Sequence, residues 1–253
     1  MTELAQEAAL ADEHASAADL AGSAGRRLIS LRERSRSNAE LLGSADFTSH
    51  TFLLDELSRL YPSDAVRSEE GRGDAHHDSG QRLWVIDPLD GTREFCDPPR
   101  QDWAVHVALV VDGLPVVGAV ALPARRLTLS TASPPRLPPL ARRPLRVLVS
   151  RTRPTELGRV VADKLGGELI PMGSAGAKAM AVVLGEAEVY VHSGGQYEWD
   201  TAAPAAVAIA AGLHVSRLDG SALLYGRPDP WLPEILVCRP ELADLVLTLC
   251  TAS

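Results

Sequence analysis

The sequence predicts a layered protein of the α/β or α+β class, in which helices pack against β-sheets. Three observations support this prediction. Segments with helical spacing of apolar residues and short apolar runs of strand character intermingle along the whole chain. Several of the predicted helices end at glycine or before proline. The chain of 253 residues is 45% hydrophobic and 23% charged, which suits a globular protein with a large core.

The first part of the chain is predicted to hold two helices followed by a set of strands. Alanine and leucine dominate residues 3–35, and their spacing predicts a helix. A second helix is predicted over residues 46–60, with Asp46 or Thr48 as its N-cap. The polar, glycine-rich residues 71–80 form a surface loop. The predicted strands are residues 64–70, 82–87, 103–113, 114–123 and 127–132, of which the third and fourth form a hairpin.

A proline- and arginine-rich segment, residues 133–144, is predicted to connect two halves of one compact unit, residues 1–132 and 145–253. Helices and strands alternate in the second half. The predicted helices there are residues 155–167, 175–187, 201–212 and 241–250. The predicted strands are residues 145–150, 168–173, 188–193 and 235–240, and residues 214–220 and 223–227 surround a turn.

Composition excludes several classes of function. The net charge of −8, from 25 Lys and Arg against 33 Asp and Glu, argues against a general binder of nucleic acid or membrane surfaces. No apolar run is long enough to cross a bilayer, and the N-terminal residues lack the pattern of a signal peptide. The three cysteines, Cys96, Cys238 and Cys250, are scattered. They predict neither a disulfide framework nor a zinc site, and they favour a reducing cytoplasm.

The stretch WVIDPLDGTREF, residues 84–95, carries the most chemistry. Asp87 and Asp90 follow an apolar strand, and a tight loop would point both carboxylates and the Leu89 carbonyl at one spot. Such hard oxygen ligands select Mg²⁺ before Zn²⁺. The alternative is a simple turn, since Asp-Pro-x-Asp-Gly is a good turn sequence by itself.

Two further acidic clusters can join this site. Glu69 and Glu70 end a predicted strand just before the loop that returns to Asp87, although one of the two must face away. The alternative is a pair of solvated loop glutamates. Asp200 stands at or near the start of a predicted helix, where it is an N-cap, a metal ligand through its other oxygen, or both.

Gly91 and Thr92 predict an anion site if a helical turn begins there, because its first N–H groups are free. Metal ligands beside a phosphate seat indicate phosphoryl chemistry, and the Thr92 hydroxyl could orient an attacking water. No Walker loop or nucleophile elbow is present, which favours direct attack by water.

The loop GSAGAK, residues 173–178, either holds a second phosphate through Lys178 or only packs against its neighbours. His106, in an apolar strand, is expected to be a satisfied core histidine rather than a base.

The motifs SEE, WVIDPLDGTREF and EWDTAA, in this order, resemble those of the lithium-sensitive, Mg²⁺-dependent inositol monophosphatase superfamily. Glu94-Phe95 at the end of the second motif, the preceding SEE and the loop GSAGAKAMA are similar to its 3′(2′),5′-bisphosphate nucleotidase branch of the CysQ type, especially actinobacterial members. The resemblance covers nearly the whole chain. It implies an α+β layered sandwich, α/β/α/β/α, and a phosphoric monoester hydrolase that acts as a monomer or homodimer.

The resemblance also implies roles for single residues. Glu69, Asp87 and the Leu89 carbonyl would bind one Mg²⁺, and Asp87, Asp90 and Asp200 a second, with a third bound more weakly. Mn²⁺ would substitute, and Li⁺ and Ca²⁺ would inhibit. Gly91 and Thr92, beside Asp90 and Asp200, would hold the substrate. Thr92 with Glu69 or Asp46 would position the water. The residues implied to face the nucleotide are Ser174, Lys178, Ser150 and Arg151.

Two departures from the family pattern stand out. Most members have Pro-Val-Thr-x-Ala-Asp before the second helix, in a loop that serves the third metal ion and the water, whereas this chain has LLGSAD, residues 41–46. Gly43 replaces the usual threonine, which favours Asp46 as a helix cap over Asp46 as a base. Pro204 stands where the third motif usually ends in glycine, and proline is tolerated in the first turn of a helix.

The expected reaction is hydrolysis of the 3′-phosphate of 3′-phosphoadenosine 5′-phosphate to AMP, and of 3′-phosphoadenylyl sulfate likewise, in sulfate assimilation. The alternative is the same chemistry on inositol 1-phosphate or fructose 1,6-bisphosphate, because the metal motifs do not separate these substrates. A non-enzymatic regulatory binding protein is a third hypothesis, which the fold alone would permit.

Overall fold

The computed structural model describes residues 10–35, 37–71, 82–140 and 144–251. The helices are α1 (Ala11–Arg34), α2 (Asn38–Leu60), α3 (Thr92–Phe95), α4 (Glu156–Lys164), α5 (Ala175–Val183), α6 (Glu198–Ala210) and α7 (Ala243–Thr251). The strands are β1 (Ala65–Ser68), β2 (Leu83–Asp90), β3 (Ala104–Val111), β4 (Leu114–Leu122), β5 (Leu127–Ser130), β6 (Arg146–Ser150), β7 (Glu168–Met172), β8 (Val189–His192), β9 (Gln196–Tyr197), β10 (His214–Ser216), β11 (Trp231–Leu232) and β12 (Ile235–Cys238).

Two five-stranded sheets organise these elements. The first has the order β1-β2-β3-β4-β5, with β1 and β2 parallel and the remaining pairs antiparallel. The second has the order β10-β12-β8-β6-β7, in which β6 runs parallel to both β7 and β8. The short strands β9 and β11 pair separately.

Helices and sheets alternate in five layers, which three apolar clusters hold together. Trp84 and Ile86 of β2 pack with α1 and α2 on the outer face of the first sheet. Leu83 and Val85 of the same strand face α5 and α6, whose other sides cover the second sheet. Helices α4 and α7 cover the outer face of that second sheet. The predicted α+β layered sandwich is therefore confirmed, and β2 is buried along its whole length because both faces of its sheet are covered.

The close approach of α6 to β4 depends on a glycine. A Cβ atom on Gly118 would lie 2.6 Å from the Ala206 Cβ and 2.8 Å from the Ala203 carbonyl oxygen. This contact packs the middle of α6 directly against β4 of the first sheet.

Several predicted boundaries shift. Helix α2 begins at Asn38 rather than at residue 46, and α6 begins at Glu198 rather than at residue 201. The first helix is described from Ala11, and the residues predicted to precede it lie outside the described part. Residues 223–227 form no strand, whereas Trp231–Leu232, which was not predicted, pairs with β9. In the described part of the chain, no helix has the length and apolarity required to cross a membrane.

Candidate active site

The parallel pairing of β1 with β2 brings the first two acidic motifs together. Ser68 pairs with Ile86, so Glu69 follows β1 beside the point where Asp87 continues β2. Asp90 ends β2, and the pairing with β3 shifts its register between Asp87 and Asp90. This irregularity matters because residues three apart on a regular strand point to opposite faces.

The third acidic motif arrives on the first turn of α6. Asp200 is the third residue of that helix, and its Oδ2 atom accepts a hydrogen bond of 2.7 Å from the backbone N–H of Tyr197. The capping role and a ligand role are therefore compatible, since a carboxylate has two oxygens and the cap uses one of them.

Glu69, Asp87, Asp90 and Asp200, the acidic cluster, repel one another strongly. Burial and then Asp200 and Asp90 raise the pKa of Glu69, which lies at the solvent-exposed edge of the cluster, to about 7. Burial and then Asp90 raise the pKa of Asp200 to about 7. Burial and then Glu69 hold the pKa of Asp87, 1% exposed, well above its usual range. Divalent cations would remove this repulsion, and an all-oxygen donor set fits Mg²⁺.

The loop between the two aspartates is held from several sides. The Leu89 N–H donates to Asp87 Oδ1 at 3.0 Å, and the Ser49 hydroxyl of α2 donates to the Pro88 carbonyl at 2.8 Å. The Leu89 carbonyl accepts a hydrogen bond of 3.3 Å from the Thr92 hydroxyl. The predicted carbonyl ligand and the predicted water-orienting hydroxyl are thus neighbours.

Gly91 introduces the helical turn that the sequence predicts at this place. Its φ angle of +88° lies in the left-handed region, which glycine adopts without strain. A Cβ atom there would lie 3.2 Å from the Asp102 carbonyl oxygen and from the Cβ atoms of Trp103 and Ser174. Thr92 follows as the first residue of α3, so its N–H precedes the first hydrogen bond of the turn.

The loop GSAGAK lies against Asp90. Ser174 donates to Asp90 Oδ2 at 2.6 Å, and the Gly176 N–H donates to the same atom at 2.8 Å. Ser174 also caps α5, because its hydroxyl oxygen accepts from the Ala177 N–H. Lys178 is buried, and its ammonium group donates to the carbonyls of Gly173 and Ser174. Burial lowers the pKa of Lys178 to about 8.

His106 is a site residue that sequence reasoning assigned to the core. It is fully buried, and its Nδ1 atom lies 2.9 Å from the Trp199 carbonyl oxygen. Its Nε2 atom has no hydrogen-bond partner among the described residues and lies 3.4 Å from Asp90 Oδ2. Ligand atoms of His106, Asp87 and Asp90 all lie within 4.8 Å of one another, so these three could hold a metal ion. The ring links β3, beneath the aspartates, to the first turn of α6.

The prediction that Asp46 caps the second helix is wrong, and so is the alternative cap, Thr48. Both lie well inside α2, which continues through residues 41–46. The stretch LLGSAD lacks the proline that ends helices, so nothing in it stops the helix. Burial and then Glu70 raise the pKa of Asp46 to about 6. Its role as a base stays a prediction.

A cavity of about 110 Å³ opens beside the acidic cluster. Asp90, Asp200, Ser174 and Lys178 line it, and Ser150 lines it as well. Further lining residues are Arg93, Glu94, Thr152, Arg153, Gly173, Ala175, His192 and Gln196. Arg151, which the family resemblance implies for the nucleotide, does not line this cavity, because its guanidinium binds Glu94 Oε1 at 2.5 and 3.0 Å.

A buried ion pair ties the segments that carry the acidic motifs. Arg67 Nη1 lies 2.6 Å from Glu198 Oε2, and the same atom donates to the Arg227 carbonyl at 2.8 Å. Arg67 precedes Glu69 by two positions, and Glu198 precedes Asp200 by two. The pair therefore joins β1 to the start of α6 at the cluster.

Comparison with known proteins agrees with this arrangement. The model of the inositol monophosphatase family matches residues 2–135 and 143–249. The chain belongs to the inositol monophosphatase family. It is 46% identical over 252 residues to a 3′-phosphoadenosine 5′-phosphate phosphatase of Mycobacterium leprae, which covers 91% of this chain and 90% of that protein. It is 32% identical over 209 residues to the 3′(2′),5′-bisphosphate nucleotidase CysQ of Escherichia coli, covering 78% of this chain and 85% of that one.

Solved structures of family members share the fold. The crystal structure of CysQ from Bacteroides thetaiotaomicron superposes with a TM-score of 0.76 at 27% identity, covering 90% of this chain and 97% of that chain. The predicted relationship to the actinobacterial CysQ-type branch is confirmed, and so is the predicted enzyme class of phosphoric monoester hydrolase.

Proposed function

We propose that this chain is a Mg²⁺-dependent phosphatase that removes the 3′-phosphate of 3′-phosphoadenosine 5′-phosphate to give AMP, and acts on 3′-phosphoadenylyl sulfate likewise, in sulfate assimilation. The gathering of four mutually repelling carboxylates, two of which, Asp90 and Asp200, line one cavity, carries this proposal. The mycobacterial relative named for this reaction supports the choice of substrate.

Glu69, Asp87 and the Leu89 carbonyl would hold one cation, and Asp87, Asp90 and Asp200 a second. When bound, such cations neutralise a phosphate, lower the pKa of a water and stabilise a leaving oxygen. The contact of His106 with the Trp199 carbonyl would hold the first turn of α6, which carries Asp200, against β3.

Gly91 and Thr92 would receive the scissile phosphate, since they begin a helical turn directly after Asp90 and the first N–H groups of such a turn have no partner within the helix. The Thr92 hydroxyl, 3.3 Å from the Leu89 carbonyl oxygen, would orient the attacking water together with Glu69. The other side chains of the cavity, with Ser150, Ser174 and Lys178 among them, would surround the rest of the substrate.

The test is a comparison of kcat/KM for 3′-phosphoadenosine 5′-phosphate, inositol 1-phosphate and fructose 1,6-bisphosphate, with Mg²⁺, with chelator and with Li⁺. We expect the nucleotide to be preferred, the activity to require Mg²⁺ and Li⁺ to suppress it. A preference for inositol 1-phosphate or fructose 1,6-bisphosphate would support the alternative substrates.

Asp87→Asn tests the metal assignment. We expect a loss of more than about 100-fold, because several kcal/mol of transition-state stabilisation depend on the bound cations. Asp163→Asn, on the exposed face of α4, is the matched control and should keep its activity. Equal activity of both variants would refute the metal assignment.

The alternative hypothesis is a regulatory binding protein, in which the acidic cluster would not catalyse hydrolysis. A protein of that kind would release no phosphate from any of the three substrates. Capture of a partner protein with and without Mg²⁺, beside the phosphatase assay, separates this hypothesis from the enzyme.

A further inference from the structure

Two arginines of the active-site cavity form no ion pair within the described residues. Arg93 and Arg153 are exposed, both line the cavity, and neither forms an ion pair with any residue that the structure describes. Free guanidinium groups beside a phosphate site are suited to bind a further oxyanion, since their planar donors match two of its oxygens at once.

The neighbouring arginines differ in this respect. Arg151 is bound to Glu94, and Arg100 is bound to Asp102. Their charges are therefore already compensated within the protein, whereas those of Arg93 and Arg153 are available to a ligand.

The backbone around Arg153 fixes where its side chain begins. The Arg153 N–H donates to the Ser150 hydroxyl oxygen at 3.2 Å, which closes the turn after β6. His192 is buried at the end of β8 and lines the same cavity. Burial has the largest effect in lowering the pKa of His192, and the positive charges of Lys178 and Arg153 lower it further. Arg153 therefore lies beside the cavity rather than extending away from it.

In the part of the chain that the structure describes, no carboxylate of the cavity forms an ion pair with these arginines. Asp90 accepts from Ser174 and Gly176, Glu94 accepts from Arg151, and Asp200 accepts from the N–H of Tyr197. The two arginines remain as cationic groups that a bound anion can neutralise.

We propose that Arg93 and Arg153 form a second anion subsite, which binds the non-scissile phosphate of a bisphosphate substrate. This assignment rests on the proposed function, because it takes the acidic cluster as the seat of the scissile phosphate. It makes the two arginines specificity-determining residues that favour bisphosphates over monophosphates.

The test combines variants with a matched pair of substrates. Adenosine 3′-phosphate differs from 3′-phosphoadenosine 5′-phosphate only by the 5′-phosphate. Arg153→Met and Arg93→Met keep much of the aliphatic side chain and remove the charge. Each should lower kcat/KM for the bisphosphate by about 10- to 100-fold, chiefly through KM, as expected for one charged hydrogen-bond partner. The loss for the monophosphate should be at least tenfold smaller.

Controls separate the subsite from general damage. Arg159→Met removes an exposed arginine of α4 that lies outside the cavity, and it should leave both substrates unaffected. Arg153→Lys should recover part of the lost preference, since charge is kept but the two-point geometry is not. Thermal unfolding shows whether each variant is folded. Equal losses on both substrates would overturn the proposal.

A failure of the proposed substrate is a separate outcome. If the enzyme prefers fructose 1,6-bisphosphate, the same comparison with fructose 1-phosphate decides the subsite. If no substrate is hydrolysed, calorimetric binding of AMP against adenosine to the wild type and to Arg153→Met decides it. A wild type that binds AMP no better than adenosine would refute the subsite.

Discussion

The buried ion pair of Arg67 and Glu198 should be a main support of the folded state. The Glu198 side chain is 1% exposed and that of Arg67 is 11% exposed, and Glu198 Oε1 also accepts from the Arg227 N–H at 3.1 Å. Arg67→Met keeps most of the aliphatic volume but removes the positive charge. Glu198 then keeps its hydrogen bond from the Arg227 N–H and loses its ion pair.

The cost of this change follows from the burial of the pair. Removing one partner of a buried ion pair destabilises a protein by about 3–5 kcal/mol. Burial already raises the pKa of Glu198 against the opposing effect of Arg67, so the freed carboxyl can take up a proton and limit the loss. We expect about 3 kcal/mol at neutral pH, which in a chain of this size corresponds to a fall in Tm of about 6–12 °C.

Urea and thermal unfolding measure this loss. The matched control is Arg125→Met, which breaks the pair of Arg125 with Glu186, whose side chains are 31% and 42% exposed. That variant should lose less than about 1 kcal/mol. Because a raised pKa in the folded state favours the protonated form, the Arg67→Met loss should shrink as pH falls towards 5. A loss equal to that of Arg125→Met would refute the reasoning.

Three further predictions concern the site. Without metal, the raised pKa of Glu69 and Asp87 means that the folded state binds more protons than the unfolded chain, so Tm should fall as pH rises from about 4 to about 7. Mg²⁺ should then raise Tm more at pH 8 than at pH 5, and scans with and without chelator check this. Asp46→Asn should reduce kcat far less than Glu69→Gln, since Asp46 lies inside α2 and is not one of the carboxylates of the acidic cluster; an equal loss would contradict it. Gly176→Ala should lower both Tm and activity, because its Cβ would lie 2.0 Å from His106 Nε2, and an unchanged enzyme would refute that packing.

Much of the fold was predictable because periodicity is a local property. The helical spacing around residues 156–164 and the apolar run before Asp87 identified their elements directly. Boundaries were harder to predict. Helix α2 extends back to Asn38 because nothing in LLGSAD stops it, and family analogy suggested a loop there.

The sequence likewise identified some residues of the candidate site and missed others. The Asp-Pro-Leu-Asp-Gly-Thr motif identified Asp87, Asp90 and Thr92 because closely spaced carboxylates before a glycine are uncommon in a buried strand. His106 was missed, since a lone histidine in an apolar strand usually belongs to the core. Its proximity to the aspartates depends on the register of β2 with β3.

The sequence by itself determined the elements, the acidic motifs and the kind of chemistry, because spacing and residue type are written along the chain. Only the tertiary structure decided which charges meet. Arg151 and Arg153 are two residues apart and chemically identical, yet Glu94 forms an ion pair with Arg151, whereas none of the described residues forms one with Arg153. That distinction arises from the packing of α3 beside the turn after β6, between residues more than fifty positions apart, which no local pattern records.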